Sequence, residues 1–176
     1  PVIGITGSNG KTIVKEWLYQ LLETDFSIVK SPGSYNSQVG VPLSVLNINK
    51  SNTLGIFEAG ISRPGEMKNL ENIIRPSIGV FTNIGQAHDE GFENTSQKIN
   101  EKLQLFLHSK HIVFCTDNYL LKQSIASFKK TENKNLQLFS WGNKSSNNLQ
   151  IVSIKKIRDN SKIEAIFKQK NISITI

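Results

Sequence analysis

The sequence offers no cysteine pair, no apolar run of bilayer length and no charged-then-apolar opening. Its single cysteine, Cys115, rules out an internal disulfide and fits a reducing compartment. That thiol closes the apolar run His111–Cys115, so it reads as a buried structural group rather than a nucleophile. No apolar stretch approaches the length of a bilayer span, and no charged-then-apolar leader opens the sequence, so a cytoplasmic protein is expected. The chain opens at Pro1, already inside an apolar strand, and reads as a piece of something longer. No internal repeat is evident. Arginine clusters and interleaved aromatics are missing from the basic end. Residues 1–120 carry 10 Lys and Arg against 11 Asp and Glu, whereas 121–176 carry 11 against 3, so the basic excess behind the net charge of +7 lies entirely in the last third. Lysines scattered among Asn, Ser and Gln read as solvated strand edges that discourage aggregation, in preference to a nucleic-acid site. What remains is an ordinary globular composition, 38% hydrophobic and 20% charged over 176 residues, enough for one domain with a substantial core.

The most informative segment is at the start. The apolar run Val2-Ile3-Gly4-Ile5 leads straight into Thr6-Gly7-Ser8-Asn9-Gly10-Lys11-Thr12. Glycines here let the backbone turn tightly and aim N–H groups into a concave anion site at a helix N-terminus. A lysine then reaches the outer phosphates, and a Thr hydroxyl can ligate Mg²⁺. The general pattern wants glycine five positions before Gly10, where this chain has Ile5, with Gly4 one step earlier. Ile13, Val14, Trp17, Leu18, Leu21 and Leu22 follow on one helical face, so strand, turn and helix come in the order such a loop needs.

Strands are expected near 2–6, 26–30, 53–58, 78–83 and 111–116, and helices near 11–23, 41–48, 64–74, 96–108 and 118–128. Pro42 and Pro64 sit near helix starts. This alternation predicts an α/β fold of the phosphate-loop NTPase kind, a mostly parallel sheet with helices on both faces. Beyond about residue 130, polar connectors separate short strands at 136–142, 149–157, 162–168 and 171–176, with Asp159-Asn160 turning a hairpin. The expected organisation is a 1–130 α/β core and a small, mainly antiparallel 131–176 appendage.

Further chemical residues fall where strands should end, the edge at which such sheets collect ligands. Glu58 closes Leu54–Glu58 and is either a plain strand-end acid or, beside a phosphate loop, a Mg²⁺ carboxylate. His88 follows Thr82-Asn83, with Asp89 and Glu90 beside it, and reads equally as a polar turn or a functional imidazole. Lys102 borders the stripe Ile99, Leu103, Phe106 and Leu107, where its pattern is that of a snorkelling side chain. The turn-rich stretch 31–42, containing Asn36, is a connector or a substrate loop.

Together these pieces resemble the Mur ligases, the ATP-dependent amide-forming enzymes of peptidoglycan assembly, and their folylpolyglutamate synthase relatives. The carriers are Thr6–Thr12 with its irregular spacing, Glu58-Ala59-Gly60, Asn83 followed by His88, and Lys102 fourteen positions later. Gly33 to Leu43 and Ala87 to Phe92 are most similar to the branch that joins D-alanyl-D-alanine to a UDP-N-acetylmuramoyl-tripeptide. Thr12 to Trp17 and Phe57 to Met67 are similar to versions fused to an alanine racemase. The resemblance implies a central ATP-binding domain, without the family's N-terminal UDP-substrate and C-terminal ligase domains, so a fragment unable to complete ligation alone. It implies that Gly7, Ser8, Asn9 and Gly10 cradle the ATP phosphates with Lys11 on the β/γ side. Thr12 and Glu58 would serve one Mg²⁺ and His88 a second, Asn83 would face the nucleotide, and Asn36 the substrate. Lys102 would be carbamylated and act at the metal site, so that Lys11, His88 and Lys102 carry the catalysis. Within the enzyme class the alternative is a folylpolyglutamate synthase-like ligase; outside it, a nucleotide switch without ligase chemistry or a nucleic-acid-binding ATPase.

Overall fold

The computed structural model describes residues 1–85 and 91–176. Its elements run β1 (Val2–Thr6), α1 (Lys11–Leu22), β2 (Ile28–Lys30), α2 (Gly40–Val45), β3 (Leu54–Glu58), α3 (Glu66–Ile74), β4 (Ile78–Phe81), α4 (Thr95–Leu103), a 3₁₀ turn (Gln104–Phe106), β5 (His111–Cys115), α5 (Tyr119–Thr131), β6 (Gln137–Gly142), β7 (Leu149–Ile157), β8 (Asn160–Phe167) and β9 (Lys170–Thr175). The nine strands form one sheet in the order β2-β3-β1-β4-β5-β6-β7-β8-β9. The phosphate-loop strand β1 lies between β3 and β4, both parallel to it. Glu58, at the end of β3, and Thr82-Asn83, just past β4, are thereby carried to either side of the loop at the carboxyl edge.

Helices cover both faces, as the alternation requires. Ile3, Ile5, Leu54 and Ile56 point to one face and meet Val14, Leu18 and Leu22 of α1. Phe57, Phe81, Ile112 and Phe114 point to the other, where α2 to α5 supply Val41, Met67, Leu70, Ile99, Leu103, Leu121, Ile125 and Phe128. The α1 stripe is narrower than expected: Ile13, Trp17 and Leu21 are 52%, 51% and 73% exposed. Only the i, i+4, i+8 row of Val14, Leu18 and Leu22 packs on the sheet.

The change of character near residue 130 is not where the pairing changes. Strand β6, expected in the antiparallel part, pairs parallel with β5 from His111↔Gln137 to Cys115↔Trp141. Antiparallel pairing begins only with β7 and β8 and continues to β9, on the same continuous sheet. The first hairpin turns at Arg158-Asp159, one residue earlier than expected, with Arg158 at φ 53°. The second turns at Lys168-Gln169, both with positive φ, the geometry that matches strand twist in two-residue hairpins. Helix α2 is shorter than the expected 41–48, and the expected 96–108 helix tightens into the 3₁₀ turn for its last residues. Cys115 is half-buried, and burial pushes its thiol pKa up, which keeps it protonated and unreactive, in line with a structural role. No helix among the described residues is long and apolar enough to cross a membrane.

The 3₁₀ turn locks this core. Phe106 is fully buried beneath β4, and Asn133 donates to its carbonyl at 3.1 Å. Phe106→Ala should therefore cost about 3–5 kcal/mol by cavity formation, read as a lowered denaturant midpoint at unchanged slope.

Candidate active site

Gly10 takes φ 79° and hands the chain directly to α1, so the free N–H groups of the helix's first turn face the loop. The loop is pinned from the β4 side. Ser8 N–H donates to the Asn83 carbonyl at 2.9 Å, and Asn9 N–H to Asn83 Oδ1 at 3.0 Å. Thr82 Oγ1 donates to the Asn9 carbonyl at 2.6 Å, and Ser8 Oγ and Gly85 exchange hydrogen bonds. Thr6 Oγ1 donates to the Ala59 carbonyl at 2.9 Å, fixing the loop to β3. Asn83, expected to face the nucleotide, thus also carries the loop, and it occupies two of the N–H groups of the expected cradle.

The cations converge on this frame. Lys11 Nζ folds back to donate to the carbonyls of Gly7 (3.1 Å) and Ser8 (3.3 Å). Burial lowers its pKa, the Glu58 carboxylate raises it, and Lys98 lowers it again. Lys102 does not snorkel: it is 1% exposed and donates to the Gly7 carbonyl at 3.3 Å. Its pKa is lowered to about 7, by burial first and then by the nearby Lys11 and Lys98 ammonium groups. Lys98, one helical turn before it, is fully buried and donates to the Gly85 carbonyl at 2.6 Å.

Opposite stands one carboxylate. Glu58 is fully buried; its Oε2 accepts from Thr12 Oγ1 at 2.9 Å, while Oε1 has no hydrogen-bond partner. A buried carboxylate oxygen left without a donor next to a hydroxyl fits a divalent cation, so Thr12 and Glu58 suit Mg²⁺. Among the described residues no three His, Cys, Asp or Glu side chains gather as a metal cluster, so other oxygens must complete the shell. His88 lies outside the described residues.

Asn36, Gly60, Glu66, Lys11 and Lys102 line a cavity of about 350 Å³ beside the loop. Asn36 is fixed there by its carbonyl, which accepts from Gly60 N–H at 2.7 Å. Every expected site residue within the described part therefore lies around the loop or on this cavity. Two buried cations, Lys15 and Lys98, escape a reading from pattern alone. Lys15 sits in a helix between apolar rows, and only its spacing of three from Thr12 and four from Lys11 places it on the loop side of α1.

A mostly parallel sheet whose interior strand β1 ends in this loop, with a buried acid on the neighbouring strand, defines an α/β domain of the phosphate-loop class. The chain belongs to the Mur ligase family: residues 5–176 match the Mur ligase middle domain. It is 36% identical over 129 residues to a UDP-N-acetylmuramoyl-tripeptide–D-alanyl-D-alanine ligase of Borreliella burgdorferi, an overlap of 69% of this chain and 27% of that protein. The solved MurF ligase from Thermotoga maritima in complex with ADP superposes with a TM-score of 0.83 at 28% identity, over 99% of this chain and 40% of that one. An FPGS mutant from L. casei superposes with a TM-score of 0.70 at 12% identity, over 97% of this chain and 51% of that one, a likeness of fold alone. The chain thus spans 27% and 40% of the lengths of the first two of these proteins and about half of the third.

Proposed function

We propose that this chain is the phosphate- and metal-handling part of a ligase that activates the carboxylate of a UDP-N-acetylmuramoyl-tripeptide with ATP and joins it to D-alanyl-D-alanine. The observation that carries the reading is the buried Glu58 beside the loop, one oxygen on Thr12 and the other accepting no hydrogen bond, with Lys11 and Lys102 on the adjoining Asn36 cavity. ATP phosphates would lie along the loop against the first turn of α1, with Lys11 moving from the loop carbonyls to the β/γ oxygens. Asn83 would hold the loop in shape beneath the nucleotide, with His88 on the γ side. A Mg²⁺ held by Thr12 and Glu58 would neutralise charge on the transferred phosphoryl group. A tripeptide carboxylate oxygen, set near Asn36, bonds to the γ-phosphorus as the bridge to ADP breaks. The D-alanyl-D-alanine amine then forms the amide bond, phosphate leaves, and the amine gives up a proton.

Carbamylation of Lys102 by CO₂ belongs to the same reading. The reaction forms an N–C bond on a neutral amine and releases a proton. An amine with its pKa near 7, crowded by two ammonium groups, is suited to it, since the product is an anion among cations. In this proposal the enzyme works in the cytosol, where ATP is, and domains beyond this chain bind the UDP moiety and complete the active site.

The test is an assay of the full-length gene product with ATP. Phosphate release should require both UDP-N-acetylmuramoyl-tripeptide and D-alanyl-D-alanine. Release with a reduced folate and glutamate instead would transfer the chain to the folylpolyglutamate synthase reading, and nucleotide binding with no release under either condition would leave a switch.

A further inference from the structure

Lys15 is one of the largest fully buried side chains of the protein, and a buried ammonium needs partners to offset its desolvation. It has them on three segments. Its Nζ donates to the Ser31 carbonyl at 2.7 Å and to the Gly33 carbonyl, at the root of the loop that carries Asn36. It pairs with Glu16 Oε1 at 3.3 Å. It also stands 3.7 Å from Glu58 Oε1, near enough for charge attraction, yet that oxygen accepts no hydrogen bond. The donors of Lys15 are thus spent on carbonyls and Glu16, while its charge rests against the carboxylate. Glu16 is in turn held by Lys30 on β2, so the ammonium is fixed from two sides.

Resting on the metal reading above, we propose that Lys15 is the resident counter-cation of Glu58, occupying the carboxylate's charge but not its lone pairs, so that a divalent cation enters only together with the nucleotide phosphates. The charge balance requires this order. Around Glu58 stand the ammonium groups of Lys15 and Lys11, and the acid paired with Lys15, Glu16, is itself shared with Lys30. A divalent cation arriving alone meets like charges in a poorly screened interior. Polyphosphate reverses the local sign and supplies the missing oxygen ligands, after which Glu58 Oε1 is open to the metal. Lys15 is a positioning residue here: it touches neither the phosphates nor the reacting atoms.

The test is Mn²⁺ binding to the chain, followed by electron paramagnetic resonance, alone and with saturating ADP. Wild type should bind Mn²⁺ at least about ten-fold more tightly with ADP than without, as expected for like charges within a few ångströms at low screening. Lys15→Met and Lys15→Gln should raise the ADP-free affinity about ten-fold and close much of that gap, whereas Lys15→Arg should keep it. A structural role alone does not make a variant bind metal more tightly. Nucleotide-dependent Mn²⁺ binding with unchanged ADP-free affinity in the folded neutral variants overturns the role of Lys15 alone. Wild type binding Mn²⁺ equally well without ADP overturns it too, whether or not the variants fold. Absence of Mn²⁺ binding even with ADP overturns the metal reading of Thr12 and Glu58, and this inference with it.

Discussion

Gly7→Ala should abolish nucleotide binding and destabilise the fold together, because residue 7 is where the loop and β4 touch. Gly7 sits at φ +144°, a conformation that costs an L side chain energy wherever it is placed. The added Cβ would overlap the Thr82 hydroxyl and lie 2.9 Å from the Asn83 carbonyl oxygen and 3.0 Å from its nitrogen. Two of those contacts are backbone and cannot rotate away. They are also the groups that hold the loop: Asn83 O accepts from Ser8, and Thr82 Oγ1 donates to Asn9. Relieving the clash must therefore separate the loop from β4, which unpins the N–H groups and carbonyls around which Lys11 and Lys102 are arranged. Strain and overpacking of this kind cost about 2–4 kcal/mol, which at this size lowers the melting temperature by roughly 5–15 °C. Calorimetric titration with ADP should show no heat of binding at temperatures where circular dichroism still reports a folded variant. A variant that melts with wild type and binds ADP would show that the loop is not held as described.

The reason so much of this architecture is legible in the sequence is that each layer repeats one physical signal. Buried parallel strands read as apolar runs, as in Leu54–Glu58 and Ile78–Phe81, and glycine or proline marks their ends. The phosphate loop announces itself because its backbone conformations need glycine. What escapes the sequence is the fate of polar residues within apolar patterns. Lys15, Lys98 and Lys102 look alike on paper, each a lysine in an amphipathic helix. Burial assigns them to three carbonyl sets, on the Asn36 loop, at Gly85 and at Gly7 respectively. Such partners are brought together only by strand order, which no local window encodes. The parallel pairing of β6 is hidden for the same reason. Six residues of strand carry the same alternation whichever direction their neighbour runs, and only the span of α5 before it hints at a crossover.

Lys102→Met should raise the stability of the chain at neutral pH while removing ligation from the full-length enzyme. In CO₂-free buffer the folded protein holds Lys102 with a pKa lowered to about 7, whereas in the unfolded chain it returns to the ordinary lysine value of 10.5. Between these values the unfolded state binds the extra proton, so the contribution of Lys102 to stability rises with pH across the window from about 7 to 10.5. Below 7 both states are protonated and the whole cost of the buried ammonium is present, on the order of a few kcal/mol. Methionine has nearly the same length, needs no partner, and removes that cost. The Gly7 carbonyl is not orphaned by the change, because Lys11 Nζ still donates to it at 3.1 Å. Melting temperatures should therefore show the variant several degrees above wild type at pH 6–7, at about 2–4 °C per kcal/mol, with the difference shrinking toward zero near pH 10. A difference independent of pH would mean that methionine acts through packing alone. A variant less stable at every pH would mean that the buried amine contributes more through its contacts than burial takes away. Stability and chemistry then pull this position in opposite directions. A lysine that weakens the fold at neutral pH is what a site needs if its amine must be free to react with CO₂, and activity lost from a better-folded variant separates that role from structure.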